Sequence, residues 1–425
     1  MWGVMCHGSS SWWPPSELSD DTACEAAGIA SDLEKYRYVL KMNNTYDNSY
    51  RGTMFAPLFS SSSLDDDGAA DASITLAAVF IHGLAGDANT YFCDAMKSVA
   101  AEGLSKNVLV ISPWFGDSQA TGADWNASAS SSWQSTYWTT SRWVSGGNAS
   151  PSPSRYTTAF DVLDTVVQKL GSAKLSGRFP NLQRVTINGF SAGAQMASRW
   201  AIFSSYGNGD SDPGIQVRTV VADGSSYVYL DKTRPASSCI PGEDTGKSHS
   251  CSTFEEPDSS LCTGYNAWKY GLDLTNLSAN LYLEPFQANQ TLVTAAVKAF
   301  LSTADMRFIF GDEDVCNCNT DGYSNTQSTV CYPSGTSCSP NTYGGQLNGV
   351  NCCDTYPDTT TDNALNTGCE SSLMGTNRLQ RGINYMYYLN TMRNASVNYG
   401  FFAGGHNNSA FYASDLFKEW VYGEG

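Results

Sequence analysis

The sequence predicts an α/β protein: a mostly parallel central sheet with helices on both faces, carrying a cap-like insertion and a disulfide-rich insertion. Three observations predict it. Short apolar, β-branched runs alternate with helix-period segments along most of the chain, which is the pattern of strand–helix–strand crossovers. At one such junction, Val185-Thr186-Ile187-Asn188 runs into Gly189-Phe190-Ser191-Ala192-Gly193, where glycines two residues either side of a serine suit a sharp strand-to-helix turn. The 425 residues, 41% hydrophobic, suffice for one large domain with insertions or for two domains.

The elements follow in order. Residues 1–71 read as an N-terminal extension: irregular to about residue 30, opening strands at 36–42 and 52–58, and a Ser/Asp linker at 60–71 with little to bury. Residues 72–224 form the first part of the core. Residues 74–81 are a strand ending in His82-Gly83, 91–102 a helix, and 108–112 a strand. Residues 156–170 are a helix with Phe160, Leu163, Val166, Val167 and Leu170 on one side. The strand before Ser191 precedes a helix with Met196, Trp200 and Phe203 at helical spacing, and 217–222 is a further strand. Residues 225–304 are too long for an ordinary connection and read as an insertion over the active face. The second part of the core, 305–425, holds a strand at 306–310, a Cys-rich insertion at 316–369, a strand at 397–402 and a helix at 410–422. No internal repeat is evident.

Composition excludes several classes. The net charge is −17, which opposes nucleic acid and anionic membrane surfaces as partners. No apolar run reaches the roughly 18 residues of a membrane span, and no hydrophobic tail signals a lipid anchor. Of 13 cysteines, those at 316, 318, 331, 338, 352, 353 and 369 crowd a polar segment without histidine or C-x-x-C spacing. Disulfides therefore outweigh a metal site, and an oxidising, secretory or extracellular compartment follows. Sequons at Asn43, Asn126, Asn148, Asn276, Asn289, Asn394 and Asn407 permit a glycoprotein. Residues 1–15 lack the regions of a signal peptide, so the secretory start is expected upstream or already processed.

The chemistry centres on Ser191. A serine hydroxyl is a poor nucleophile until a base of near-neutral pKa takes its proton, which points to histidine. The chain has 4 histidines. His7 lies in the extension, His249 in an insertion, and His82 at a strand end, where a loop-shaping role is expected. His406, after the last strand in Phe402-Ala403-Gly404-Gly405-His406-Asn407, is the expected base. An acid must orient the imidazole. Asp314, after strand 306–310, is the first candidate, with Asp312, Glu313 and Asp223 as alternatives. Backbone donors for an oxyanion are expected from Ala192, at the positive end of a helix, and from Leu84, beside Gly83. His82, Trp114, Trp138 and Tyr227 are the expected substrate contacts. The aromatic segment 114–153, with Trp125, Trp133 and Trp143 besides, reads equally well as ring-stacking surface or as core filling.

The order Ser191, Asp314, His406, with His82-Gly83 upstream, resembles the α/β-hydrolase superfamily over about residues 75–420. The Gly-x-x-Asp at 311–314 lies where that superfamily commonly places its acid. Further stretches resemble secreted eukaryotic, mostly fungal, members: Phe160-Asp161-Val162-Leu163-Asp164, Phe179-Pro180-Asn181-Leu182, Ser225-Ser226-Tyr227-Val228-Tyr229-Leu230, Asn266-Ala267-Trp268-Lys269-Tyr270-Gly271, and Cys369-Glu370 through Asn377-Arg378-Leu379-Gln380-Arg381-Gly382. The Cys-rich insertion after Asp314 and the absent signal segment depart from the pattern. The resemblance implies a secreted serine hydrolase that cleaves carboxylic esters through an acyl-enzyme, with no metal or organic cofactor. Aromatic, polyester and polysaccharide-linked esters are the candidate substrates. A serine peptidase, or a catalytically inactive binding or adhesion protein on the same fold, are the alternatives.

Overall fold

Six-residue runs such as Leu76–Ile81 and Val108–Pro113 are buried at every position. A strand alternates its side chains between two faces, so a wholly apolar strand demands cover on both. That demand organises the computed structural model, which describes residues 24, 33–42, 54–65, 68–116, 135–139, 141–150, 157–211, 213–236, 251–277, 280–314, 365, 368–375 and 377–423. His7, His249, Trp125, Trp133, Asn43, Asn126 and the cysteines at 316–353 lie outside these residues.

In chain order the main elements are β1 (Arg37–Met42), β2 (Met54–Ser60), β3 (Leu76–Ile81), α1 (Ala88–Ala101), β4 (Val108–Pro113), α2 (Ala159–Leu175), β5 (Arg184–Phe190), α3 (Ala192–Phe203), β6 (Gln216–Ala222), α4 (Gln290–Thr303), β7 (Asp305–Gly311), α5 (Arg378–Tyr387), β8 (Asn398–Phe402), α6 (Asn408–Ala413) and α7 (Asp415–Tyr422). The strands form one 8-stranded sheet in the order β1-β2-β4-β3-β5-β6-β7-β8. Only β2 runs against the rest, pairing antiparallel with both β1 and β4. From β4 to β8 every pairing is parallel. This is the α/β-hydrolase fold expected from the sequence.

Two apolar cores cover the two faces. Leu76, Ala78 and Phe80 of β3 meet α1, α6 and α7 on one side. Ala77, Val79 and Ile81 meet α2, α3, α4 and α5 on the other. Helix α2 starts where Thr158 and Asp161 form a reciprocal capping box. Helix α3 is buried at all of its residues, which its run of Ala and Gly allows by keeping it close to the sheet. Helix α4 packs beside α3, so the last part of segment 225–304 serves as the crossover from β6 to β7.

The structure differs from expectation in two elements. The single helix expected at 410–422 is two, α6 and α7, broken at Ser414. That residue is extended (ψ 143°), and its hydroxyl accepts a hydrogen bond from Phe417 N–H to cap α7. Helix α5 was not expected at all. Between described residues, the disulfides Cys24–Cys93 and Cys262–Cys369 join parts of the chain 69 and 107 residues apart.

Candidate active site

The parallel strands end together. Ile81 pairs with Gly189, Phe190 with Ala222, Ala222 with Ile309, and Phe402 with Gly311. Loops leaving these ends therefore meet at one edge, where open α/β sheets bind ligands. Ser191 sits on the turn between β5 and α3 with φ 57° and ψ −114°. A left-handed φ at a non-glycine residue costs about 1–3 kcal/mol and persists only when the surroundings impose it. Here the Ser191 N–H donates to Ala222 O at 3.0 Å, a good hydrogen bond.

The flanking glycines explain how so tight a turn fits. A Cβ on Gly189 would overlap the carbonyl of Gly193 and lie 2.7 Å from Ala194 N. A Cβ on Gly193 would overlap Ile81 O and lie 2.9 Å from His82 O. Helix α3 thus begins in direct contact with the end of β3, against the carbonyls of Ile81 and His82.

The turns after β7 and β8 are laced by backbone bonds. Asp312 N–H donates to Phe402 O (3.0 Å), Glu313 N–H to Gly404 O (2.9 Å) and Gly404 N–H to the Asp312 carboxylate (2.9 Å). Gly311 permits the approach, for a Cβ there would lie 2.7 Å from Gly404 O and 2.9 Å from Gly405 O. The result brings Ser191, His406 and Asp314 together. His406 Nε2 lies 2.9 Å from Ser191 Oγ, and its Nδ1 lies 2.8 Å from Asp314 Oδ2. A carboxylate only accepts, so Nδ1 carries the proton and Nε2 accepts from the serine hydroxyl. The Phe190 ring packs 4.7 Å from the imidazole. Ser191 and His406 keep 8% and 9% exposure, a narrow opening to solvent, while Asp314 is fully buried.

Arg378, at the start of α5, is the neighbour that sequence reasoning missed. Its Nη1 is 3.5 Å from Asp314 Oδ1, with both side chains buried. Asn377 caps α5 by accepting from Gln380 N–H, and Leu379 N–H donates to Asp314 O (3.1 Å), so the helix start is docked on the acid. Burial opposes charge on Asp314, but the imidazole of His406 and the Arg378 guanidinium outweigh it and hold the carboxyl below its ordinary range. Burial, then the Arg378 charge, holds His406 below the usual imidazole value of 6.5, against the pull of Asp314. The site at neutral pH therefore pairs a neutral imidazole with a carboxylate.

The other acids stand differently. Glu313 is exposed, and Asp312 bonds the Gly404 N–H. Asp223 is fully buried at the end of β6, with φ 53°, and accepts from Gly311 N–H at 2.9 Å. Asp223, Asp314 and His406 each place a ligand-type atom within 4.8 Å of the other two. A metal does not suit them, since both imidazole nitrogens are engaged and Arg378 brings a positive charge.

His82, Trp114, Trp138 and Tyr227 are 0%, 3%, 2% and 2% exposed. His82 Nδ1 donates to Gly83 O (2.7 Å) and its Nε2 accepts from Phe115 N–H (2.9 Å). Burial pushes its pKa down to about 4, so it stays neutral and ties the Leu84 turn to the loop after β4. Trp114 Nε1 donates to Gly86 O and Trp138 Nε1 to Gly147 O. Phe115 stacks on Trp143 at 5.3 Å and meets Trp138 edge-on. Tyr227 stacks on Tyr385 at 4.8 Å. These rings fill the core beneath the site. Leu84 is 54% exposed.

No family model matches the chain, and no curated protein matches it. Solved structures are similar in outline. The LpqC poly(3-hydroxybutyrate) depolymerase from Bordetella parapertussis is 13% identical over 95% of each chain, with a TM-score of 0.46. Poly(aspartic acid) hydrolase-1 from Sphingomonas sp. KT-1 is 13% identical over 90% of this chain and 98% of that one (TM-score 0.45). The siderophore hydrolase EstB from Aspergillus nidulans is 11% identical over 91% and 94% (TM-score 0.36).

Proposed function

We propose that this chain is a secreted serine hydrolase that cleaves carboxylic esters through an acyl-enzyme. The carrying observation is the continuous hydrogen-bond relay from Ser191 Oγ through His406 to Asp314, beginning at a serine held in a strained left-handed turn. In this reading Ser191 attacks the ester carbonyl as His406 Nε2 takes its proton. Asp314 keeps the imidazole in the tautomer that leaves Nε2 free to accept, and stabilises the imidazolium once formed. The Ala192 and Leu84 N–H groups receive the oxyanion. The imidazolium returns the proton to the leaving alcohol, and water then repeats the sequence on the acyl-enzyme.

Two features support the finer points. The disulfides suit an oxidising compartment, in keeping with secretion. No described helix is long and apolar enough to cross a membrane. Described residues 225–236 and 251–277 are the proposed roof of the site, since Ser225 and Ser226 bond Gln195 and Arg199 of α3 one and two turns beyond Ser191. With Trp114 and Trp138 in the core, recognition of an aromatic, polyester or polysaccharide-linked ester falls to other surfaces of that roof.

The test is covalent labelling. Wild type should take one fluorophosphonate at Ser191 and hydrolyse p-nitrophenyl esters faster than the matching peptide amides. Ser191→Ala should keep its fold, take no label, and lose roughly 10⁴-fold or more in kcat. A folded wild type that neither labels nor turns over esters would refute the reading in favour of a binding protein; faster amide cleavage would make it a peptidase.

A further inference from the structure

Three groups crowd one side of the His406 imidazole: Asp314, Arg378 and Asp223. Asp314 and Arg378 form an ion pair. Asp223 has no cation of its own in hydrogen-bond reach among the described residues. Its Oδ1 accepts from Gly311 N–H, while Oδ2 is buried with no hydrogen-bond partner. The Tyr227 hydroxyl, also buried, has none either. A carboxylate oxygen stripped of water and left unbonded is costly as an anion, and the cost falls away when that oxygen carries a proton. Two buried carboxyls this close cannot both ionise cheaply, so the pair holds one charge and one proton. The groups facing Asp223 decide where each goes. Asp314 and Asp312 repel its charge, Tyr227 offers no charge, and Arg378 attracts it but lies against Asp314. Burial first, and then the Asp314 charge, raise the Asp223 carboxyl well above its ordinary range.

We propose that Asp223 is a second acid of this site, placed to take over the orienting of His406 when Asp314 loses its charge. The proposal rests on the Ser191–His406 relay read above. Backbone strain supports it: Asp223 adopts φ 53°, a left-handed value like the φ 57° of Ser191 at the neighbouring strand end, at a position whose carboxylate lies within 4.8 Å of Asp314 and His406. With Asp314 made neutral, the repulsion that adds to burial in keeping Asp223 protonated disappears while the Arg378 cation remains. Asp223 then releases its proton to solvent and accepts the Nδ1–H of His406, a shift within the 4.8 Å that spans the three groups. Asp223 is thus a positioning residue, acting through the imidazole.

A double-mutant cycle tests this. Asparagine keeps an acceptor for Gly311 N–H, so Asp223→Asn and Asp314→Asn are both expected to fold, as near-ultraviolet circular dichroism and urea melts will check. Asp314→Asn should lower kcat/KM only about 10²-fold, whereas Asp223→Asn/Asp314→Asn should lose roughly 10⁴-fold, the scale of a lost orienting carboxylate and more than the product of the single losses. In Asp314→Asn the activity should gain an acid limb set by Asp223, which the double variant lacks. Infrared difference spectra should show a protonated-carboxyl band in wild type at neutral pH that Asp223→Asn removes. Equal activity of Asp314→Asn and the double variant, or no such band, overturns the proposal. Ser191→Ala and His406→Ala discriminate the failures. If both are inactive while the cycle shows no coupling, only the role of Asp223 is lost; if either is active, the hydrolase reading falls with it.

Discussion

Arg378 adds a buried charge that biases the protonation of the residues around Ser191. Its guanidinium favours the Asp314 anion and disfavours a second cation on His406. A base whose pKa is lowered stays competent to lower pH, so the acid limb of kcat/KM should fall below 6.5. Removing the cation reverses both effects. Arg378→Gln should move that limb to higher pH and cost about 3 kcal/mol in stability, the low end for breaking a buried pair because 3.5 Å is long and His406 still faces the acid. A pH–rate profile and a urea melt check the two effects separately. The same residue marks what the sequence hides. Ser191 is legible from its glycines, and His406 because few histidines compete and only one follows the last strand. The choice among four acids needed coordinates. Arg378 lies 64 residues from Asp314 along the chain, and an arginine near a helix start reads as solvated until a buried partner is known.

The turn between β5 and α3 works because its two glycines let one helix touch two strands. Gly193→Ala should force α3 off the end of β3 and move the Ala192 N–H away from Leu84. A loss of about 10²–10³ in kcat is expected, the scale for losing one oxyanion donor, with 1–3 kcal/mol of overpacking strain. KM should change less than kcat, because in the proposed reaction the Ala192 N–H acts mainly on developing charge. Steady-state kinetics on one ester, beside a thermal melt, measures both. The elements themselves were legible to the degree that burial is simple. Core strands buried on both faces are unbroken apolar runs, and the helix after Ser191 shows in the helical spacing of Met196, Trp200 and Phe203. Helix α5 escaped although Leu379, Ile383 and Met386 recur at helical spacing, because that stripe is short and the polar Arg378, Gln380, Arg381 and Asn384 are buried beside it. The break between α6 and α7 escaped because apolar spacing continues through Ser414, whose cap is a local event that periodicity does not record.

At the scale of the molecule, long irregular segments must satisfy backbone carbonyls that no strand ladder serves. Buried arginines do much of this. Arg234 donates to the carbonyls of Asp231, Thr233, Tyr265 and Tyr270. Arg199 reaches Val144 and Lys269, and Arg381 reaches Gly375 and Ser225. A guanidinium offers five donors in a rigid fork, which suits several carbonyls converging from different loops. These contacts tie segment 225–304 to α3 and α5 within the folded state, while the Cys262–Cys369 disulfide ties the same regions before folding. That bond closes a loop of 107 residues, and its loss enlarges the unfolded ensemble far more than it disturbs the native contacts. Cys262→Ala/Cys369→Ala should therefore lower the free energy of unfolding by about 2–4 kcal/mol. Activity under native conditions should fall much less, because Asp314 and Arg378 stay docked through Leu379 N–H and the arginine contacts. Urea melts of the variant beside its kcat separate the two outcomes. A variant that stays stable but loses turnover would mean that the covalent tie, rather than the buried guanidinium groups, holds α5 against the acid.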